Sequence, residues 1–423
     1  MGALTPSQAS GIFKERYAPH VVDAIPEWTH LLKRVKYDKG LAVGNKFHTP
    51  VVLADEAGFT HAGNNAGDYA LNGAIAFNTQ DAQVSPSQIT LVSRISYDSF
   101  TQSLSSEAAF ERLSKMLMER MVISTSKRLE VLMLYGGSGI GVSDTSANIN
   151  ATSTTLTLTT ASWADGIWAG SKNQTIQLYT AGDVLVSTGS DSVFTIVSVN
   201  PTLFQIVVSG SAAGITALDI ANAAGDLTIY YNGAHGNEMT GLNKIITNTG
   251  TLFNIDAATY DLWKGNTYDA LSASLTFNKL QNAVAVAVGR GLDEEVCVLV
   301  NHKTWSNLLT DQAGTRRFDS SYAKSKAEAG WETLEFYSQN GKMEILSHPL
   351  VKQGEAFVLP LDRVRRIGAG TSDMMFMPQS ATNDEYFQYV PGFNSYEIRL
   401  YSNQAIIDEL PARAVKIINI VNS

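Results

Sequence analysis

Gly137, Gly139 and Gly141 lie in the run GGSGIG, a spacing that cradles a phosphate when it follows a strand and opens a helix. Here it follows a long helical pattern and leads into Ser, Asp and Asn, so it reads as a hinge. The seven histidines, His20, His30, His48, His61, His235, His302 and His348, show no HxxxH or HExxH spacing, and no metal site is expected from them. Cys297 sits inside the apolar run VCVLVN, which suits a small core residue and not an activated thiolate. No serine carries GxSxG around it. Asp384 and Glu385 are adjacent, so their side chains do not face each other, and they read as a solvated turn. Asn150-Ala151-Thr152 and Asn173-Gln174-Thr175 match the glycosylation acceptor pattern, yet a chain with one cysteine suits a reducing compartment where that pattern is idle. Arg363, Arg365 and Arg366 form a small basic cluster better suited to structural ion pairs than to nucleic acid. The chain is therefore expected not to be an enzyme: no catalytic residue, no cofactor and no metal.

Composition narrows the class further. The chain has 423 residues, 44% apolar and 17% charged, with a net charge of −9. That is a globular balance, light on charge, and it suits surfaces covered by other copies. A net negative charge argues against a dedicated nucleic-acid binder, which needs clustered Lys and Arg to neutralise phosphates. No run approaches the roughly 20 apolar residues of a membrane span, and MGALTPSQAS lacks a signal-peptide core.

The element that organises the rest is SSEAAFERLSKMLMERMVISTSKRLEVLMLY, residues 105–135. Phe110, Leu113, Leu117 and Met121 recur at helical spacing, and Leu129 and Leu132 continue the stripe. Ser105 or Ser106 can cap its start with Glu107 in the first turn, no Gly or Pro interrupts it, and Gly136-Gly137 stops it.

Around this helix the pattern is sheet and loop. Residues 1–43 read as an arm with short helical pieces at Ser7–Tyr17 and Trp28–Val35. Residues 44–103 hold two strand patterns, Lys46–Leu53 and Ile89–Phe100, on either side of a Gly, Asn and Ala-rich stretch. That stretch reads as an extended two-stranded arm without a core of its own. Residues 142–233 change character: one lysine, Lys172, stands against six aspartates, and Thr-rich strand runs recur between turn residues. The spacing predicts an inserted all-β domain, a small sandwich or barrel that folds on its own, with Trp163 and Trp168 in its core or over one end. Helix Leu275–Val288, strand Glu295–Asn301, a helix near Thr304–Thr310, and strands at Met343–Leu346, Glu355–Leu359 and Arg363–Gly368 alternate, which predicts an α/β unit. Residues 311–341, with Arg316, Arg317, Lys324 and Lys326, read as loop. Tyr386–Val421 returns to strands, broken at Pro411 and expected to pair with early ones.

This order of pieces resembles the major capsid proteins of tailed double-stranded-DNA bacteriophages with the Hong Kong 97-type fold. SSEAAFERLSKMLMERMVISTSKRLEVLMLYG looks like the spine helix of that family. GTLFNIDAATYDLWKGN followed by LTFNKLQNAVAVAV resembles the passage from its peripheral to its axial domain, and VLVNHKTWSNLLTD and LSHPLVKQGEAFVLPLDRVRRIG resemble axial strands and helix. The resemblance implies an α+β chain divided as follows: an N-terminal arm at 1–43, an extended β-arm at 44–103, and the spine helix of the peripheral domain at 104–141. An inserted β-domain would occupy 142–233, peripheral domain 234–265, axial domain 266–375, and C-terminal peripheral strands 376–423. It implies a structural subunit that self-assembles into pentamers and hexamers of an icosahedral head around double-stranded DNA. Portal, a separate scaffolding protein and a decoration protein would be partners, with assembly in the host bacterial cytoplasm, location in the virion and no membrane. Some such shells are cross-linked by an arm lysine attacking an asparagine. Lys46 lies at the arm's base and Lys115 is the next lysine, so a non-covalent shell is expected. The alternative reading is a β-rich adhesin or glycan-binding surface protein using Trp163 and Trp168.

Overall fold

The computed structural model describes residues 29–35, 37–38, 45–65, 67–102, 113–315, 334–338, 341–368, 373–378 and 386–422. The helical start expected at Ser7–Tyr17, the cap at Ser105 or Ser106, the basic residues Arg316 to Lys326, His20 and the pair Asp384-Glu385 lie outside them. The chain forms two compact units. One is built on Thr90–Thr125 and Phe376–Leu400, the other on Trp28–Ile89, Ser126–Met375 and Tyr401–Ser423.

The spine helix is described over Leu113–Tyr135. Its amphipathic stripe widens toward the C-terminal end, where Leu129 to Tyr135 are buried on every face. Such a helix end must be surrounded. Gly136 and Gly241 explain how closely: Gly241 N–H donates to Gly136 O at 2.8 Å, and a Cβ on Gly136 would meet the Met239 carbonyl. The expected hinge at GGSGIG is instead a packed turn. Gly137 and Gly139 have φ of 72° and 74°, and a Cβ on Gly139 would run into Thr228.

After this turn, six strands close into a barrel: Gly141–Asn150, Ser153–Leu158, Thr175–Tyr179, Phe194–Asn200, Gln205–Ser209 and Leu227–Tyr231. Its inward positions alternate, as in Leu156, Leu158, Ile176, Leu178, Ile206 and Val208, because strand side chains have period two. Two details depart from the sequence pattern. Asp183–Thr188, whose DVLVST reads as one of the strand runs in the sequence, is not a strand; Gly141–Asn150 supplies the sixth, its polar SDTSANIN facing largely outward. Ala212–Ala224 is a helix, capped by Ser211 Oγ accepting from Gly214 N–H at 3.0 Å, and it packs on the first barrel strand.

The larger unit also holds a six-stranded sheet. Its order is Asn266–Ala273, Val415–Ile420, Ala356–Leu359, Val296–Val300, Gly341–Ser347, Leu334–Ser338. Val415–Ile420, expected beside the other C-terminal strands, sits second in this sheet, parallel to Asn266–Ala273. Strand Val296–Val300 is buried throughout, as a strand covered on both faces must be. Val296, Val298 and Val300 face helices Phe277–Val288 and His302–Thr315, while Cys297 and Leu299 face the spine helix. The spine end, this inner face and the barrel interior form one continuous apolar core. Strand Val364–Gly368 leaves this sheet and pairs antiparallel with the second half of Ser395–Asp408. In the smaller unit, Gln388–Tyr389 pairs with Glu397 and Tyr396, and strand Ser87–Ser96 pairs with the same long strand.

Candidate functional site

The arm exposes several large apolar side chains close together in the chain. Its two strands are Phe47–Ala54 and Asn78–Val84, in antiparallel register from Phe47 opposite Val84 to Ala54 opposite Asn78. The return strand is therefore not Ile89–Phe100, as the pattern suggests. NTQDAQV is mostly polar, with Thr79 and Val84 as its two β-branched residues, and its pairing with Phe47–Ala54 makes it a strand. The arm's base does have a core. Val51, Leu53, Ala82 and Val84 pack on Ile255, Ala257, Trp263, Ile367, Ala405 and Ile407. Polar contacts fix it further: Gln80 Nε2 donates to Tyr260 Oη at 2.8 Å, and Gln83 N–H to Phe253 O at 2.9 Å.

Beyond Ala54 the arm has no such support. Phe59, Tyr69, Leu71, Ile75 and Phe77 are between 52 and 78% exposed. The backbone there is nonetheless tied: Ala57 N–H donates to Ile75 O at 3.2 Å, and Asn72 donates from N–H to Thr60 Oγ1 at 2.8 Å and from Nδ2 to Phe59 O at 2.7 Å. Gly58 and Gly73 let the two sides touch, since a Cβ on Gly58 would come within 3.2 Å of Gly73 O. Each such side chain gains about 1.5–3 kcal/mol when fully buried, so a pre-shaped tip of this kind is suited to binding another surface.

A second centre lies where the spine helix meets the segment before the arm. Glu130 is completely buried. Its Oε1 accepts from Leu31 N–H at 2.5 Å and its Oε2 from Leu32 N–H at 2.7 Å, at the start of the short helix His30–Arg34. His348, equally buried, places Nε2 at 2.8 Å from Glu130 Oε1, while its Nδ1 accepts from Leu350 N–H at 3.2 Å. An Nδ1 that accepts a bond carries no proton, so His348 is the Nε2–H tautomer and donates to Glu130. The His30 ring stands edge-on to it at 5.5 Å, and burial followed by the His348 neighbour lowers the His30 pKa. Arg34 completes the anchor with a bidentate pair to Glu344. Nothing in the sequence singles out Glu130; its one signal is a lone carboxylate inside the apolar run LEVLML.

The residues weighed for chemistry fall in ordinary structural places. Burial raises the Cys297 thiol to about 12, and Arg34 Nη1 approaches its sulfur at 3.8 Å. Arg363 pairs with Glu294, Arg365 with Glu409 at 2.5 Å, and Arg366 with Asp373 at 3.0 Å. His48, His235 and His302 each face one aspartate: Asp81, Asp183 and Asp165. Asn150 Oδ1 caps Thr152 N–H in a turn, and Asn173 is a turn residue at φ 67°. Lys46 bonds Gln83 at the arm's base. Trp163 and Trp168 stack at 6.0 Å with both rings excluded from water, so neither is a sugar-binding platform. Among the described residues no group of three or more His, Cys, Asp or Glu could hold a metal, and no helix is long and apolar enough to cross a membrane.

This mixed α/β fold is similar to that of solved phage capsid structures. The chain is similar to the solved cyanophage A-1(L) capsid asymmetric unit, with TM-score 0.59 and 10% identity over 99% of both chains. It is also similar to the capsids of the native and empty GTA particles. There the TM-scores are 0.53 and 0.51 at 8% identity, over 100% and 99% of both chains. No family model matches the sequence, and no curated protein matches it.

Proposed function

We propose that this chain is a structural, non-catalytic shell subunit of the Hong Kong 97 type, assembling into pentamers and hexamers of an icosahedral phage head that encloses double-stranded DNA. The observation that carries the reading is the arm: a base held by the subunit's own core and a tied, apolar tip that no described residue of its own chain covers. In a shell that tip lies on a neighbouring copy. The extended arm lies within 44–103, its hairpin being 47–84; 104–141 and 234–265 with 376–408 act as the peripheral domain, 266–375 joined by strand Val415–Ile420 as the axial domain, and 142–233 as an inserted barrel. A net charge of −9 keeps the wall from adhering to packaged DNA. A separate scaffolding protein, a portal and a decoration protein are the expected partners, in the host cytoplasm during assembly and in the virion afterwards.

The span Phe47–Ser114 contains no lysine, so the shell holds without Lys–Asn bonds. Negative-stain microscopy of the purified full-length chain, alone or with its scaffold, is expected to show capsomers or closed shells. A monodisperse monomer at high concentration overturns the reading. Boiled particles should run as one band at 45.7 kDa, and a ladder refutes the non-covalent shell.

A further inference from the structure

Strand Ser395–Asp408 ends at the point where the chain leaves one sheet for another. Asp408 pairs with Val364 of the neighbouring strand; the chain then turns through the short 3-10 helix Pro411–Arg413 and enters the six-stranded sheet at Val415. The Asp408 side chain is wholly buried at this corner. Its Oδ1 accepts from Leu410 N–H at 3.0 Å, while Oδ2 has no hydrogen-bond partner among the described residues. A buried carboxylate oxygen without a donor is costly when charged and inexpensive when it carries a proton.

The charges facing it come from each element at the corner. On its own strand end, Glu409 is engaged by Arg365. From the turn before strand Val296–Val300, Glu294 takes Arg363 Nε at 2.6 Å and Arg413 Nη1 at 3.3 Å on its Oε1, and leaves its Oε2 buried and unpartnered. From the 3-10 turn, Arg413 divides itself between Glu294 and Asp293. Asp408, wholly buried, and Glu294, partly buried, thus each carry an oxygen without a partner among the described residues, and Arg413 at this corner is already committed to Glu294 and Asp293. A single proton removes one charge and turns an acceptor into a donor.

We propose that Asp408 is a proton-operated pin at the junction of the two sheets, protonated when the corner is closed and ionised when it opens. Closed, the neutral carboxyl sits within the corner without drawing on Arg413. Open, the carboxylate reaches water and the segment 404–413 is freed to change its angle to the six-stranded sheet. Burial, with the charges of Glu409 and Glu294 adding to it, raises the Asp408 carboxyl to about 7, so the closed form is favoured at low pH, opening becomes easier as pH rises from the open-state value of about 3.9 toward about 7, and it levels off above that.

The test is amide hydrogen exchange on the full-length chain between pH 5.5 and 8.5, corrected for intrinsic exchange. With a pKa of about 7 closed and about 3.9 open, opening of residues 364–368 and 404–413 should increase about 30-fold across that range. Asp408→Asn keeps the acceptor for Leu410 N–H and supplies a permanent N–H donor, and its profile should be flat. Glu294→Gln removes a facing like charge and should move the wild-type midpoint to lower pH. A flat wild-type profile, or an Asp408→Asn profile that still rises, overturns the proposal. If Asp408→Asn does not fold, an unmoved midpoint in Glu294→Gln overturns it instead.

Discussion

Glu130 of the spine helix and His348 of the turn after strand Gly341–Ser347 meet at 2.8 Å, both wholly buried and 218 positions apart in the chain. The same carboxylate holds the backbone N–H groups of Leu31 and Leu32. One side chain thus joins three separate stretches, and removing it takes the acceptor from two buried donors and one part-buried donor. Glu130→Ala is expected to destabilise the subunit by about 3–5 kcal/mol, measured by denaturant unfolding. Glu130→Gln, which keeps one acceptor oxygen, should lose less.

Gly136 is a test of how tightly the spine's end is seated. A Cβ there meets the Met239 and Leu132 carbonyls, both backbone atoms that cannot swing aside. Gly136→Ala should cost at least about 2 kcal/mol in the same assay, although alanine is the better helix former.

Lys352 gives a pH dependence with a definite sign. It is buried with Nζ donating to Gly139 O at 3.0 Å and lying over the Tyr135 ring, and burial lowers its pKa to about 8. The unfolded chain, with a lysine pKa near 10.4, binds the proton more tightly than the folded one. Stability therefore rises with pH from about 8 to about 10.5 and is lowest in this respect below 8. Unfolding free energies across that window should show the rise in the wild type and not in Lys352→Met.

The arm tip separates folding from assembly. Phe59 and Leu71 are mostly exposed in the subunit, so Phe59→Ser with Leu71→Ser should leave its unfolding free energy within about 0.5 kcal/mol. Sedimentation velocity of the same double variant should show loss of capsomers or shells. Normal assembly would remove the tip from the proposed contact.

The barrel offers a last check. Its hydrogen bonding closes on itself, yet its core is continuous with the spine helix, and Trp163 O accepts from Gln353 N–H at 2.9 Å. A fragment of residues 140–233 should give a β-type circular dichroism spectrum and a cooperative melt, at a lower midpoint than the same region in the whole chain. A disordered spectrum refutes its independence.

Local chemistry determined the parts of this protein. An uninterrupted apolar period of 3.6 followed by two glycines specifies the spine helix and its end, because propensity, pattern and stop signal lie within one stretch. Thr276 before Phe277–Val288 caps that helix through its own hydroxyl, accepting from Lys279 N–H at 3.3 Å. The lack of lysine from Phe47 to Ser114 is likewise a property of the sequence alone. Tertiary structure decided the pairings. A period of two says which side chains share a face and nothing about the neighbouring strand, so AVKIINIV alone does not disclose that Val415–Ile420 lies between Asn266–Ala273 and Ala356–Leu359. NTQDAQV becomes a strand because Phe47–Ala54 offers its ladder, and SDTSANIN because the barrel must close. In the sequence Glu130 is a lone carboxylate in an apolar run and Asp408 looks like an ordinary surface carboxylate. Only the folded chain, by withdrawing water and leaving one with three donors and the other with a single donor, makes the first an anchor and lets the second hold a proton.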